Sequence, residues 1–381
     1  MRRTALSLSL LLAACATPDD APVIVKPAPP PEAVDGAIAA RPMPSAPLSL
    51  ARAPRRFAFA SCAQQNEDQS IYRTIAADEP DLVLLMGDNV YGDVRSRDPA
   101  LPELKAAYMR LAASAPFAEL RAASPVLTTW DDHDYGLNDA GGDWPYKQTS
   151  DALFDFVWDV PADDPRRGRP GVYGSWTFGE AGERLQLIVL DTRYFRSPLK
   201  PTDERDAKGK ERYLPDDDPA KTMLGEAQWA WLLEELKKPA DLRVIVSSIQ
   251  VIAEGHGFEA WRTLPLEREK LYRTIDAAGA ANVVVLSGDR HAAGLYRREG
   301  VLDYPLHEAT SSSLNLPQSR WRAERGDTYV EPGPYRTSEF IFVANYGIAD
   351  IDWARKTLAL SIRGEDGQPI ASETIDFAAL K

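Results

Sequence analysis

The amino-acid sequence predicts an α/β domain, and three patterns carry that prediction. Short, continuous apolar runs recur along the chain, as in strands buried on both faces. Helical periodicity sits between several of the runs. Clusters of Asp, His, Cys and Tyr follow the runs directly, at the strand ends where open α/β sheets hold ligands.

The first segment reads as a targeting signal and not as fold. Arg2 and Arg3 open it, and residues 5–12 are apolar. That run is too short for a transmembrane helix, which needs about 20 apolar residues. Leu12-Ala13-Ala14-Cys15 has the form of a bacterial lipobox. Residues 1–14 are therefore expected to be a lipoprotein signal peptide, with the lipid on Cys15; an ordinary secretory signal ending in small residues is the plainer reading. Several acyl chains on one residue anchor stably, unlike a single myristoyl group. Ala16 follows Cys15, without the Asp that commonly retains lipoproteins at an inner membrane. For a Gram-negative source this points to the outer membrane, facing the periplasm. Residues 15–54 are rich in Pro and Ala, densest at 26–31, and read as an extended tether. The folded domain is expected over 55–381.

Within the domain, strands are expected at 57–60, 82–86, 126–129, 185–190, 243–249 and 283–287. Trp229, Leu232, Leu233 and Leu236 fall at i, i+3, i+4, i+7 and predict a helix with one apolar face. Near the end, 339–345 and 357–363 read as further strands with no helix between them. The stretch 201–219 is charged and Pro-containing, which predicts a surface excursion near the site mouth. The net charge of −13 argues against a broad basic face for nucleic acid. It leaves room for an anionic substrate, because bound metal ions reverse charge locally. No protein partner is evident.

Four strands end in chemistry. They lead into Ser61-Cys62, Gly87-Asp88-Asn89-Val90-Tyr91, Asp131-Asp132-His133-Asp134 and Gly288-Asp289-Arg290-His291. A single Gly-Asp after a strand is often only a turn. Three carboxylates around a His are sharper, because their repulsion is relieved by a cation. If Cys15 is lipidated, Cys62 has no partner for a disulfide. It is then either a small buried apolar residue or a metal-bound thiolate.

Together these stretches resemble the PhoD-like branch of the calcineurin-like metallophosphoesterases. Leu190-Asp191-Thr192-Arg193 and residues 223–229 match patterns of the same group, and the motifs occur in that group's order. The resemblance implies a four-layer α-β-β-α sandwich of the metallophosphoesterase type, with two or more metals at the strand ends. It also implies roles. Cys62 stands where relatives place a first metal-binding Asp. Tyr91 matches a phenolate ligand, and Asp88 would bridge the metals. Asp131 and Asp132 would be ligands, Asp132 replacing an Asn before His133. Asp289 and His291 match the last ligand pair. One departure is Ser247-Ser248-Ile249-Gln250, where relatives often show a His; Gln250 is the oxygen donor on offer. Fe(III) and Ca²⁺ are the expected metals, with Mn²⁺ or Zn²⁺ as alternatives.

The expected reaction is metal-assisted hydrolysis of a phosphate ester, a diester, a monoester or both. His133 is the expected general acid, oriented by Asp134 or Asp131, unless it is itself a ligand. Asp132 supports it, and Arg290 would contact phosphate. Arg193 would do the same or form a structural ion pair. His256 would line the site or sit in a surface loop, His307 would be structural, and Asn138 and Asn315 would be minor contacts. Trp130, Trp144, Tyr146, Trp176 and Trp261 would stack on an organic group or pack in the core. The rival readings are a phospholipase D-like esterase and a non-catalytic surface lipoprotein stabilised by metal.

Overall fold

The computed structural model describes residues 40–381. The expected signal peptide, the expected lipidation site Cys15 and the expected tether up to residue 39 lie outside the described residues. In chain order, β1 (Arg56–Ala60), α1 (Ile71–Ala77), β2 (Leu82–Met86), α2 (Pro102–Ala113), α3 (Ala115–Ala123) and β3 (Val126–Thr129) come first. Then follow α4 (Asp132–Tyr135), α5 (Lys147–Val157), β4 (Gly174–Phe178), β5 (Leu185–Val189), β6 (Lys200–Pro201) and β7 (Tyr213–Leu214). Next are α6 (Gly225–Leu236), β8 (Leu242–Val246), α7 (Pro265–Ala277), β9 (Val283–Ser287), β10 (Gly294–Arg298) and β11 (Leu306–Thr310). The chain closes with α8 (Ser319–Arg325), β12 (Asn345–Asp352), β13 (Thr357–Gly364) and β14 (Pro369–Asp376).

Two six-stranded sheets stack face to face, in the orders β14-β13-β12-β1-β2-β3 and β10-β11-β9-β8-β5-β4. Strand alternation divides each strand between two layers. Phe57 and Phe59 of β1 enter the core shared with the second sheet, while Ala58 and Ala60 face the helices α1, α2, α3 and α5. Helices α6 and α7 cover the other side through Trp229, Leu232, Leu271 and Ile275. This is the expected four-layer α-β-β-α sandwich. β1, β2 and β3 run parallel, as do β5, β8, β9 and β11, so their carboxyl ends are brought to one edge.

Three boundaries depart from the sequence expectation. The tether does not run to residue 54. Met43 is buried, its N–H donates to Val157 O (2.8 Å), and Leu50 O accepts from Gly179 N–H (2.9 Å). The small and Pro-rich stretch thus lies along the domain as a strap, with Leu48 against the core. The strand expected at 243–249 stops at Val246, because Ser247 Oγ turns back to bond Ile249 O (2.7 Å). The stretch 339–345 is no strand beyond one bridge, Ile341 to Ala293. The Asn345 amide holds the Ser312 and Val343 carbonyls (3.0 and 2.9 Å), and the regular strand begins only there.

Gly347 on β12 sits opposite Phe59 on β1. A Cβ at that position would lie 2.1 Å from the Phe59 ring. Gly347→Ala should therefore destabilise the domain by at least the ~1–3 kcal/mol typical of overpacking. Urea unfolding should show a lower midpoint, while Gly168→Ala, where a Cβ meets open space, leaves it in place.

Candidate metal centre

The turns after the parallel strands are bent so that their side chains converge. Cys62, Asp88, Asp289 and His291 all adopt left-handed backbone, at φ 60°, 51°, 66° and 54°. Such a conformation costs non-glycine residues about 1–2 kcal/mol each, and it clusters where function overrides local preference. Gly87 has φ 106°, and a Cβ there would meet Asp131 Cβ at 2.6 Å. Only glycine lets the β2 and β3 turns approach this closely. The Asp134 carboxylate ties them together, accepting N–H groups from Asp88 (3.1 Å), Asn89 (3.1 Å) and Asp131 (2.6 Å).

Two donor sets result. In the first, Cys62 Sγ, an Asp88 oxygen and a His291 ring nitrogen lie within 4.8 Å of one another. Tyr91 Oη is 3.3 Å from His291 Nε2. His291 Nδ1 bonds the Leu316 carbonyl oxygen at 2.7 Å, so Nδ1 carries the proton and the Nε2 lone pair points into the cluster. Ser312 Oγ donates to Cys62 Sγ (3.0 Å). The second set is made of oxygen: Asp88, Asp131, Asp132 and Asp289 converge within the same limit, and Asp132, Asp139 and Glu259 form a further group beside it. Asp88 belongs to both sets.

The electrostatics show what these groups lack. Burial, then the neighbouring carboxylates, push Asp88 well above the carboxylate range. Burial also raises Asp131 in spite of Arg193, and it raises Asp289 to about 7. The Cys62 thiol rises through burial, Asp88 and Asp289. Burial lowers His291 to about 4, leaving its ring neutral. Asp131 Oδ2 is buried without a hydrogen-bond partner. A neutral imidazole, a thiol, a phenol and crowded carboxylates fit divalent or trivalent cations, which would favour the charged forms.

His133 stands at the edge of the cluster. Burial opposes its charge, but Asp132 and Asp93 prevail and raise it to about 9. Asp93 bonds its Nδ1 at 2.9 Å. The orienting carboxylate is therefore Asp93, two residues after Tyr91, and neither Asp134 nor Asp131. Asp134 is taken up by backbone N–H groups and Asp131 by Arg193 and Ser248. Asp132 is held below the usual range, where His133 and Arg193 overcome the effect of its burial.

Other residues fall away from the cluster. Gln250 is corrected as a ligand: its Nε2 donates to Tyr296 Oη (3.1 Å) and Thr310 Oγ1 (2.9 Å), and its Oε1 faces His256 Nε2 (3.1 Å). Both ends of the amide are engaged. His256 is fully buried in this network and does not line the cavity. Arg193 is buried between Asp131 and Glu259, as a structural ion pair requires. Arg290 pairs with Glu331 and lies over the Phe258 ring (4.6 Å) on the cavity wall. His307 pairs with Glu373 (3.1 Å), and Asn315 binds the backbone of Gln64 and Asp68. Asn138 reaches the rim.

The floor formed by Asp132, Asp289 and His291 opens into a cavity of about 680 Å³. Trp130, Trp144, Tyr146, Trp176 and Trp261 do not line it; the lining aromatics are Phe258, Trp321, Tyr329, Phe340 and Phe342. The charged excursion after β6 does reach the mouth, through Arg205, Lys208 and Arg212.

This order of strand-end motifs matches the sequence profile of PhoD-like phosphatases over residues 57–314, most of the chain. The chain belongs to the PhoD-like phosphatase family. Alkaline phosphatase D of Bacillus subtilis (strain 168) is 27% identical over 272 residues, which are 62% of this chain and 46% of that protein. The chain thus spans about half the length of this curated relative. A solved structure described as the structure of PhoD superposes with a TM-score of 0.63 at 19% identity, covering 88% of this chain and 74% of the other. The PhoD-like match contains all the residues of both donor sets. It ends before Gln318, Trp321 and the later residues of the cavity wall.

If the two sets hold cations, removing them leaves the buried carboxylates to repel one another. Chelator-treated protein should melt about 5 °C or more below the metal-loaded form, a shift expected for a ligand at about a hundred times its dissociation constant. Scanning calorimetry of wild type and Asp88→Ala, each with and without Mn²⁺, checks this. The variant should respond far less, because Asp88 serves both sets.

Proposed function

We propose that the chain is a metal-dependent hydrolase of phosphate esters, of the alkaline phosphatase and phosphodiesterase type. The observation that carries this is the pair of donor sets that share Asp88 and reach the floor of one open cavity through Asp132, Asp289 and His291. The family membership supports the same reading. The mixed sulfur, phenol, imidazole and carboxylate set suits Fe(III), and the all-oxygen set suits Ca²⁺ or Mn²⁺; Zn²⁺ would also be accepted by the first. Bound there, cations supply Lewis-acid activation of the phosphoryl group and of the attacking water.

The chain's own groups then divide the remaining work. Cys62, Asp88, Tyr91 and His291 would hold the first position, and Asp88, Asp131, Asp132 and Asp289 the second. Arg193 offsets part of the cost of burying the Asp131 and Glu259 carboxylates. His133, protonated by the field of Asp132 and Asp93, donates its proton to the departing alkoxide from the cavity side. Arg290, aligned by Glu331, faces the position of the ester.

We also propose that the protein is exported and tethered to a membrane, most simply the outer membrane facing the periplasm. Support comes from the basic start, the short apolar run and the lipobox ending at Cys15. Among the described residues no helix is long and apolar enough to cross a membrane.

Two measurements test the enzymatic reading. Hydrolysis of bis(p-nitrophenyl) phosphate and p-nitrophenyl phosphate should accompany bound metal in elemental analysis, and Asp88→Ala should lose both. A folded wild type that stays inactive after adding Fe, Ca, Mn and Zn would sink the proposal. If His133 is the proton donor, His133→Gln should cost about 10²–10⁴ in kcat on an alkyl phosphate ester. Its cost on a p-nitrophenyl ester should be far smaller, since that leaving group needs no proton. Equal losses on both would assign His133 to the metals.

A further inference from the structure

The wall of the cavity beyond residue 314 includes helix α8. Helix α8 is clamped against the floor at its start. Gln318 N–H donates to His291 O (2.9 Å), Gln318 Nε2 donates to Arg290 O (2.9 Å), and Ser319 N–H donates to Phe342 O (2.9 Å). These bonds set the Trp321 ring against His291, centroids 5.5 Å apart and nearly perpendicular. Trp321 is half-buried and lines the cavity. Arg325 lies one helical turn further out, at i+4, and so on the same face.

Charge on this rim is unevenly spent. Arg290 pairs with Glu331, Arg212 with Asp139 and Arg322 with Asp327. Arg205, Lys208 and Arg325 line the same cavity and make no ion pair among the described residues. Lys208 lies instead over the Tyr329 ring (4.2 Å). The cavity with Asp132 and Asp289 in its floor is thus also lined by aromatic rings and by three cations with no ion pair among the described residues, alongside Asp206 and Glu211. Single aromatic residues on a rim are often packing. Here the ring adjoins a proposed ligand, and the cation sits one turn beyond it.

We propose that Trp321 and Arg325 form a specificity subsite for a phosphate ester with a planar organic group and a second anionic group beyond it. The inference rests on the phosphoesterase reading. The reacting phosphorus sits over the floor, the planar group lies along Trp321, and the second anion reaches Arg325. Stacking on an aromatic side chain is sequence-tolerant and contributes about tenfold or more per ring. An exposed charge pair contributes less, about threefold, and is screened by salt.

Three diesters with a common p-nitrophenol leaving group separate these effects. They are methyl p-nitrophenyl phosphate, the p-nitrophenyl ester of thymidine monophosphate, and the same nucleotide ester with an added phosphate on the sugar. For the full chain, kcat/KM should rise about tenfold at the second compound and about threefold more at the third. Trp321→Ala should collapse the first ratio, and Trp321→Phe should keep part of it. Arg325→Gln should collapse only the second ratio, as should high salt in the wild type. Binding gives a readout independent of turnover. On mixing, before turnover, thymidine bisphosphate should quench the tryptophan fluorescence of metal-loaded wild type and leave that of Trp321→Ala unchanged. Ratios near one in the wild type, or ratios that survive both substitutions, would overturn the subsite while leaving the hydrolase intact. If no ester is turned over, the enzymatic reading fails instead. Absence of quenching then overturns the subsite as well.

Discussion

Everything at the functional edge follows from crowding carboxylates in a buried space. Asp88, Asp131, Asp132 and Asp289 offer oxygens within 4.8 Å of one another, with Asp139 and Glu259 adjoining. Two like charges about 4 Å apart repel by roughly 4 kcal/mol even at the effective dielectric of a protein surface. Arg193 answers part of this from between Asp131 and Glu259. One guanidinium cannot balance the set. Either protons or metal ions must supply the rest. Against its burial, the negative charge of Asp132 and Asp93 makes His133, at the margin, hold its proton more tightly than an ordinary histidine.

Holding such groups together demands a stiff frame. Parallel strands of two sheets deliver their carboxyl ends to one edge, and the turns that follow are forced into left-handed backbone at Cys62, Asp88, Asp289 and His291. Four residues in this state cost several kcal/mol together. The two large cores below and beside the edge offset that strain. Asp134 adds a local brace, since its carboxylate satisfies N–H groups from the β2 and β3 turns at once. A change at Gly87 would strike the same joint, because no side chain fits between it and Asp131.

The sequence showed the floor of the site better than its surroundings, and the reason is physical. Floor residues follow strands directly, so an apolar run ending in Asp88 or Asp289 announces both the element and its polar end. Asp139 and Glu259 gave no such signal: they sit in loops, and only the fold brings them beside Asp132. Asp93 was legible in principle, since it lies in the same turn as Asp88 and Tyr91. Gln250 misled because its position after β8 matched the pattern while its amide was already bonded to Tyr296, Thr310 and His256. The Trp residues took the packing role that the sequence left open beside stacking. Aromatic residues near a motif in sequence, such as Trp130, pack beneath it, while the aromatic wall comes from residues 321–342, far along the chain.

That separation has a consequence for how the protein is built. The donor sets lie within residues 57–314, the stretch shared with PhoD-like phosphatases. Much of the wall above them comes from α8 and the residues up to Phe342, outside that stretch. The segment is fastened by backbone bonds to the Arg290-His291 turn, so it takes its position from the floor without contributing a donor to either set. Floor and wall thus answer to different constraints. Floor residues are held by charge balance and by turns that tolerate few alternatives. Wall residues need only keep their anchoring bonds. Residue 339–345, which has the apolar pattern of a strand, shows the difference: its Phe340 and Phe342 are spent on the cavity and not on a sheet.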